Sequence, residues 1–487
     1  MKKNISLLLF IVTFSISAKS QITWNMGMSI ASSSSGNEHP RIVTDGSGNP
    51  LVLWGHAERA MFARWSGTSF NAPVMLNPMS MTIAEASWMG PDIASSGDTV
   101  YVVFKQTPEM DTSSHIYIVR SFDGGMNFSM PFQVDFIADS VSRFPTVTVD
   151  ATGNPIVGFM KFDPGFLNAR WVVTKSNDYG NTFSTDVNAS GWSAVGATVC
   201  DCCPGSIVNA ANNVAMLYRD NKSNIRDSWA GISTNGGTSF TNGWNIDQNN
   251  WNLFSCPSTG PDGVIVGDSL YAVFMNGASG TSRVYRSVSS ISNSIAQPSQ
   301  LLTGNISGLN QQNYPRIAQS GNAMAIVWKQ NINNFDQLPL LFTNDIANGF
   351  PAIYDTVDLN DITNADVALS NGNIFVVWED DNSGTVKYRT GSFSPLSMPE
   401  NEINESSVSV FPNPAKDFFN ININSSVNQI SLLTIYNSFG QEIIRKSFPG
   451  YLKTERLSTE LFSNGIYFWQ FKSNHKNISN GKLVILK

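Results

Sequence analysis

One short segment returns at a fixed interval and limits what this chain can become. Ser121-Phe-Asp-Gly-Gly-Met-Asn-Phe128 recurs as Ser176-Asn-Asp-Tyr-Gly-Asn-Thr-Phe183 and as Ser233-Thr-Asn-Gly-Gly-Thr-Ser-Phe240. The Asp123, Asp178 and Asn235 positions lie 55 and 57 residues apart. A period of that size marks stacked supersecondary units that bury their apolar faces only against one another. The segment reads as a hairpin turn. Ser121 and Ser176 open it, and Asp123 and Asp178 accept backbone N–H groups as Asx turns do. Gly125, Gly180 and Gly237 take a left-handed φ without a Cβ clash. Phe128 and Phe183 are expected to begin the next strand and pack on the sheet.

A second repeat underlies the first. Prolines at 40, 91, 145, 204, 257 and 315 are each followed by a β-rich segment, a Gly/Asn turn and a strand ending in an aromatic residue. Those ends fall at Trp54, Phe104, Phe159, Tyr218, Phe274 and Trp328, and a seventh copy without the proline ends at Trp378. Apolar runs of this length between turn residues are strands, not helices. The Ser-x-Asp-x-Gly-x-x-aromatic pattern resembles the Asp box of sialidase-like (BNR-repeat) β-propellers. The implied fold is all-β, a β-propeller of seven blades, with six as the alternative because the sialidase family is six-bladed. In that family the turn joins the two outer strands of a blade, away from the ligand face. The last copy shows three strands, so the segment after residue 20, alternating around Ile22, Trp24 and Met26, is expected to supply the fourth and close the ring.

The ends of the chain carry different signals. Residues 1–20 hold Lys2, Lys3, an apolar run and small residues before Gln21, the pattern of a secretory signal peptide. The propeller is expected over 21–393 and a linker over 394–407, which is rich in Pro, Glu and Asn without periodicity. Residues 408–487 form a small β-unit containing Pro412-Asn-Pro414, Gly465-Ile-Tyr467 and a terminal strand from Lys482 to Lys487. They resemble the type A C-terminal sorting domain of the type IX secretion system, an export address with a β-sandwich fold. The resemblance implies the type IX machinery as a partner. It also implies export through the periplasm of a Gram-negative bacterium to the cell surface or medium. An Ig-like adhesion module is the alternative for this sandwich. No apolar run reaches the length of a transmembrane segment. A net charge of −7 without a basic stripe excludes nucleic acid as a partner.

Ligands of propellers sit at one mouth of the central channel, and the residues around the repeat prolines are expected on the channel-lining strands. They are His39, Arg41, Asp92, Arg143, Cys202, Cys203, Cys256, Tyr314, Arg316 and Asp366. Several arginines in a ring suit an anionic ligand. Sialidases hold the sialate carboxylate with three arginines and use a Tyr–Glu nucleophile pair with an Asp acid/base. Arg41, Arg219, Arg283 and Arg316 are the arginine candidates here. No Glu occurs between Asp201 and Asp358, where that family's activating Glu is expected. The expected function is therefore a surface or secreted propeller binding glycan or another extracellular polymer. An exo-sialidase-type hydrolase and a protein-adhesion platform are the alternatives, and no cofactor is expected.

All four cysteines lie in Cys200-Asp-Cys202-Cys203-Pro204 and Cys256-Pro257. In an exported chain they are read as disulfides, either Cys203–Cys256 or Cys202–Cys256, with Cys200 taking the remaining one. A thiolate metal site, with His39 as a further ligand, is the sharper alternative, but no spacing matches a zinc motif. Just beyond, Arg219-Asp220 and Arg226-Asp227 flank a turn. They are read as cross-strand ion pairs or as a ligand clamp at the mouth.

Overall fold

The computed structural model describes residues 21–30, 35–394, 408–423, 431–437, 440–448, 454–473 and 476–487. The expected signal peptide and nearly all of the expected linker lie outside them. The chain divides into two units, Met1–Leu396 and Ser397–Lys487. Among the described residues, apart from one 3-10 turn at Ile346–Asn348, every regular element is a β-strand.

The first unit is a β-propeller. Its described residues form seven antiparallel sheets of four or five strands. Their innermost strands, in chain order, are Asn37–Thr44, Asp92–Ser96, Val141–Val149, Ser206–Ala210, Asp262–Val266, Leu309–Ser320 and Ile362–Ser370. Each packs against the next, and the last packs against the first, so the sheets close on themselves. The closure is a strand exchange. Ile22–Trp24 joins the outer edge of Thr385–Phe393, with Ile22 opposite Phe393 and Trp24 opposite Gly391. The chain start thus completes the last sheet and covers an edge that would otherwise template aggregation.

The second strands form the core between sheets. Trp54, Phe104, Phe159, Tyr218, Phe274, Trp328 and Trp378, the aromatic ends of the sequence repeat, are all 1% exposed or less. Burying an aromatic of this size contributes on the order of 2–3 kcal/mol.

The recurring turns sit between third and fourth strands, at the end of each sheet opposite the repeat prolines. Ser121 Oγ donates to Asp123 Oδ1 (2.7 Å) and accepts from Gly125 N (2.9 Å), while Asp123 Oδ1 also takes the N–H of Met126 and Asn127. Ser176 with Asp178 and Ser233 with Asn235 repeat the arrangement. Gly125, Gly180 and Gly237 have φ of +79°, +80° and +80°. Phe128 does not begin the next strand, which starts at Phe132; its ring packs edge-on against Phe62 of the preceding sheet at 4.9 Å. The turn is an inter-sheet plug as well as a hairpin.

The second unit, described by itself, is a β-sandwich. A three-stranded sheet (Val408–Phe411, Phe418–Ile423, Thr454–Ser458) faces a four-stranded one (Glu442–Phe448, Ser431–Asn437, Gly465–Ser473, Lys476–Ile485). Its core holds Phe419, Ile421, Leu433, Ile435, Trp469, Phe471 and Leu483. Asn413, between Pro412 and Pro414, exchanges hydrogen bonds with Lys482 O and Val484 N. Tyr467 OH bonds Ser463, and the Lys487 amide donates to Asn464. The Pro-Asn-Pro, Gly-Ile-Tyr and terminal-Lys segments therefore hold one another within this sandwich.

Candidate functional site

The residues following the repeat prolines link six of the seven neighbouring sheet pairs, and Ser95 Oγ, donating to Thr44 O (2.7 Å), joins the second sheet to the first to complete the ring. Asp92 Oδ2 accepts from Val147 N of the third sheet (3.0 Å), and Thr146 Oγ1 accepts from Ile207 N of the fourth (3.3 Å). Ser206 Oγ donates to Asp262 Oδ1 (2.8 Å), whose Oδ2 takes Ile317 N of the sixth sheet (3.0 Å). Arg316 Nε donates to Asp366 Oδ1 (3.2 Å), and Asp366 Oδ2 takes Ile42 N of the first sheet (3.1 Å). The register shows that the fifth copy's proline is Pro261, directly before Asp262, not Pro257. Cys256 is displaced with it, so Cys203 and Cys256 do not occupy equivalent positions. None of Cys202, Cys203 and Cys256 lies on an inner strand.

Two guanidiniums occupy this ring, Arg41 buried and Arg316 partly buried. Arg316 is held by Asp366 and, at 3.5 Å, by Asp262. Burial opposes its charge, but Asp262, Asp366 and Asp92 outweigh burial and raise its pKa. Arg41 is different. It is 8% exposed, donates to the Pro40 carbonyl (2.9 Å) and to His39 Nε2 (2.5 Å), and has no carboxylate within ion-pair distance among the described residues. Burial and then repulsion from Arg316 bring its pKa down to about 10, so it remains a cation at neutral pH. The same causes, burial first and then Arg41 and Arg316, hold His39 well below its usual pKa, so its ring is neutral. Its Nδ1 is buried without a hydrogen bond of good geometry, while the nearby Ser87 backbone, which also accepts from the Asn364 amide, works against the lowering.

The backbone explains why these side chains meet. The first, third, sixth and seventh inner strands carry register shifts at Glu38/Arg41, Arg143/Thr146, Asn313/Arg316 and Ile362/Ala365. The residues just before the proline in three of them, His39, Phe144 and Tyr314, have φ of 57°, 50° and 49°. A left-handed non-glycine residue costs on the order of 1 kcal/mol or more and persists where surrounding structure demands it, often at binding sites. A bulge re-aims a side chain, and here it turns His39 and Tyr314 to the pocket. That pocket is narrow, about 40 Å³, and is lined by His39, Arg41, Trp88, Tyr314, Arg316 and Asn364, among others. Trp88 is 38% exposed at its rim. A larger cavity of about 390 Å³ runs along the inner strands from the same ring, at Asp92, Asp262, Arg316 and Asp366, to Thr44, Ser95, Thr148 and Gln319.

One acidic residue was not singled out by sequence. Glu379, on the second strand of the seventh sheet, accepts from His39 N (3.2 Å) and Asn364 Nδ2 (3.3 Å). Burial pushes its carboxyl up to about 7; the His39 and Asn364 bonds oppose that rise, and Asp381 and Glu38 add to it. Glu379 and Asp381 also help to raise Tyr314, after burial. The signal available was its place directly after Trp378, the aromatic end of the seventh copy.

The other expected site residues are directed elsewhere. Arg143 is paired with both carboxylate oxygens of Glu109 (2.8 and 3.1 Å) and donates to Asp201 O. Arg219 is fully buried and donates to three carbonyls, of Thr259, Arg226 and Met275. Arg226 donates to Leu253 O and meets Cys200 Sγ. Asp227 accepts from Asn245, Asn250 N and Trp251 N, and burial raises Asp220 to about 6. Neither Arg–Asp ion pair forms among the described residues, so the cross-strand pairing and the clamp both give way to a buried network organising the loops. Arg283 is likewise bound to Gln312, Thr303 and Gly304. The cysteines form one disulfide, Cys202–Cys256, with Cys200 and Cys203 as thiols. The four sulfurs lie within 4.8 Å of one another, and His39 is not part of that group.

An all-β propeller followed by a sandwich, with a cationic pocket at one end of the channel, is the class that fold and site define. Residues 409–486 match the family described as the secretion system C-terminal sorting domain. The chain therefore carries the address recognised by the type IX secretion machinery and is exported to the cell surface or secreted. No helix among the described residues is long and apolar enough to cross a membrane. The endo-acting ulvan lyase of Formosa agariphila is 30% identical over 115 residues, 24% of this chain and 22% of that protein. The chain thus matches about a fifth of that relative's length. Among solved structures, a polysaccharide lyase family 25 ulvan lyase bound to a GlcA(1-4)Rha3S unit is similar at 10% identity. That match has a TM-score of 0.46 and covers 74% of this chain and 93% of that one. Trypanosoma rangeli sialidase is similar at 10% identity and TM-score 0.44, covering 92% and 84%.

Proposed function

We propose that this exported propeller binds an acidic glycan, placing a sugar carboxylate against Arg41 at the channel mouth. The observation carrying this reading is a buried guanidinium without a carboxylate partner, facing a pocket beside the buried His39 Nδ1. A guanidinium and a carboxylate make a bidentate, charge-assisted contact. A void of about 40 Å³ takes a carboxylate-sized group and leaves the sugar ring outside, where Trp88 and Tyr314 offer flat apolar faces. The partial likeness to an endo-acting ulvan lyase agrees with a glycan ligand. The test is calorimetric titration with a polyuronate, a sialylated glycan and neutral dextran. An acidic polymer is expected to bind, neutral dextran is not, and Arg41→Gln is expected to weaken binding by about tenfold or more. Equal binding of the neutral polymer, or an unaffected R41Q, rejects the reading.

A sialidase-type hydrolase is the second reading, favoured by the phenol of Tyr314 lying in the field of Glu379. It requires release of sialic acid or of a chromogenic aglycone, abolished in Tyr314→Phe. Binding without any turnover removes it.

A further inference from the structure

The cysteine quartet lies where two loops leading into the pocket wall cross. Pro204 and Gly205 belong to one, Thr259 and Gly260 to the other, and all four line the pocket. The loops touch so closely that a Cβ on Gly260 would land on the Pro204 carbonyl oxygen. Cys202–Cys256 joins them with a Cα–Cα distance of 6.2 Å, within the ordinary range. The remaining two cysteines are fully buried, whereas Cys256 is exposed.

Cys200 is at the centre of the group. Its Sγ lies 3.0 Å from Cys203 Sγ and 3.5 Å from Cys202 Sγ. Arg226 Nη1 sits 2.9 Å from the same sulfur, and that guanidinium is itself anchored on Leu253 O (2.9 Å). A fixed cation beside sulfur favours the thiolate, the species that attacks disulfides. The Cys203 thiol, then Arg226 and Arg219, lower the Cys200 pKa against the effect of burial, while burial raises that of Cys203. An external oxidant cannot reach a fully buried dithiol. It can reach Cys256.

We propose that the quartet is a thiol–disulfide relay, in which the exposed Cys202–Cys256 bond passes oxidation inward to a second disulfide, Cys200–Cys203. The Cys200 thiolate attacks Cys202 Sγ, so that Cys200–Cys202 forms, Cys202–Cys256 breaks and Cys256 leaves as thiolate. Cys203 gives up its proton and attacks Cys200 Sγ, forming Cys200–Cys203 and releasing Cys202 as thiolate. Cys256 then attacks an external disulfide, R–S–S–R, expelling one RS⁻, and Cys202 displaces the second. Two chain thiols are oxidised, one external disulfide is reduced to two thiols, and both intrachain bonds stand.

The experiment uses the full chain and oxidised glutathione as R–S–S–R. After incubation the wild type is expected to show no alkylatable thiol on denaturation and a mass lower than that of the reduced chain by four hydrogens. Cys202→Ser/Cys256→Ser, which keeps only the buried pair, is expected to form Cys200–Cys203 on the order of tenfold more slowly. Acid quenching of the wild type is expected to trap glutathione on Cys256, a readout that needs no variant to fold. Two persistent buried thiols in the wild type, an unslowed double variant, a trapped adduct on Cys200 instead, or a stoichiometric metal ion on four thiols each overturns the relay.

Discussion

Asp366 provides the sharpest test of the ring that holds the mouth together, because it links the last sheet to the first and also anchors Arg316. Its Oδ2 satisfies Ile42 N, and its Oδ1 takes Arg316 Nε and Val367 N. Asp366→Ala leaves the Ile42 N–H unpaired, which costs about 1–3 kcal/mol. It also takes one carboxylate from the partly buried Arg316 guanidinium, and loss of the partner of a fully buried charge costs about 3–5 kcal/mol when no other remains. Asp262, 3.5 Å from the same Nε, remains, so we take about half of that second figure. The sum for D366A is about 2.5–5.5 kcal/mol. Asp366→Asn keeps an acceptor for Ile42 and loses only the charge, about 1–3 kcal/mol. Urea unfolding followed by tryptophan fluorescence measures both, with an unchanged m-value as the check that compactness is unaltered. Equal losses for the two variants, or a loss under about 1 kcal/mol for D366A, would refute the ring as a structural device.

Glu379 predicts a pH dependence. Its carboxyl titrates near 7 in the fold, against a model-compound value of 4.5, so the native state keeps a proton that the unfolded chain has lost between these limits. Stability should therefore fall as pH rises from about 4.5 to 7, and denaturant midpoints of Glu379→Gln should fall less steeply over that range, the remainder coming from Glu85, Asp220 and Asp247, which burial also raises. Arg219→Lys cannot reach three carbonyls with one ammonium group, and we expect it to cost at least about 2 kcal/mol in the same unfolding assay. Asp123→Ala removes the acceptor of one recurring turn, which should lower stability by about 1 kcal/mol while leaving glycan affinity unchanged, since the turn is at the opposite end of the sheet from the pocket.

The legible parts of this protein were those written in local chemistry. Period and strand ends mark the propeller because each aromatic from Trp54 to Trp378 performs the same packing task in its own sheet. The alternation around Ile22 and Trp24 points to ring closure, since an unpaired strand in the last sheet needs an edge partner. The candidate site was legible only in part. Arg41, Tyr314 and Arg316 stand beside repeat prolines and do reach the pocket. Arg219, Arg226 and Asp227 carry the same charges, yet burial and the carbonyls around them turn them inward. Pro257 for Pro261 was an error of register, because a loop can carry a proline without entering the ring.

Sequence alone determined the repeat unit, the all-β character and the export address, for these rest on contacts between residues close in the chain or on one contiguous terminal segment. Tertiary structure decided which arginine faces the pocket without a carboxylate, that Glu379 stands behind His39, and that four sulfurs from two loops share one small volume. Those are properties of side chains brought together from different sheets. Their burial and charge environment exist only once the ring has closed.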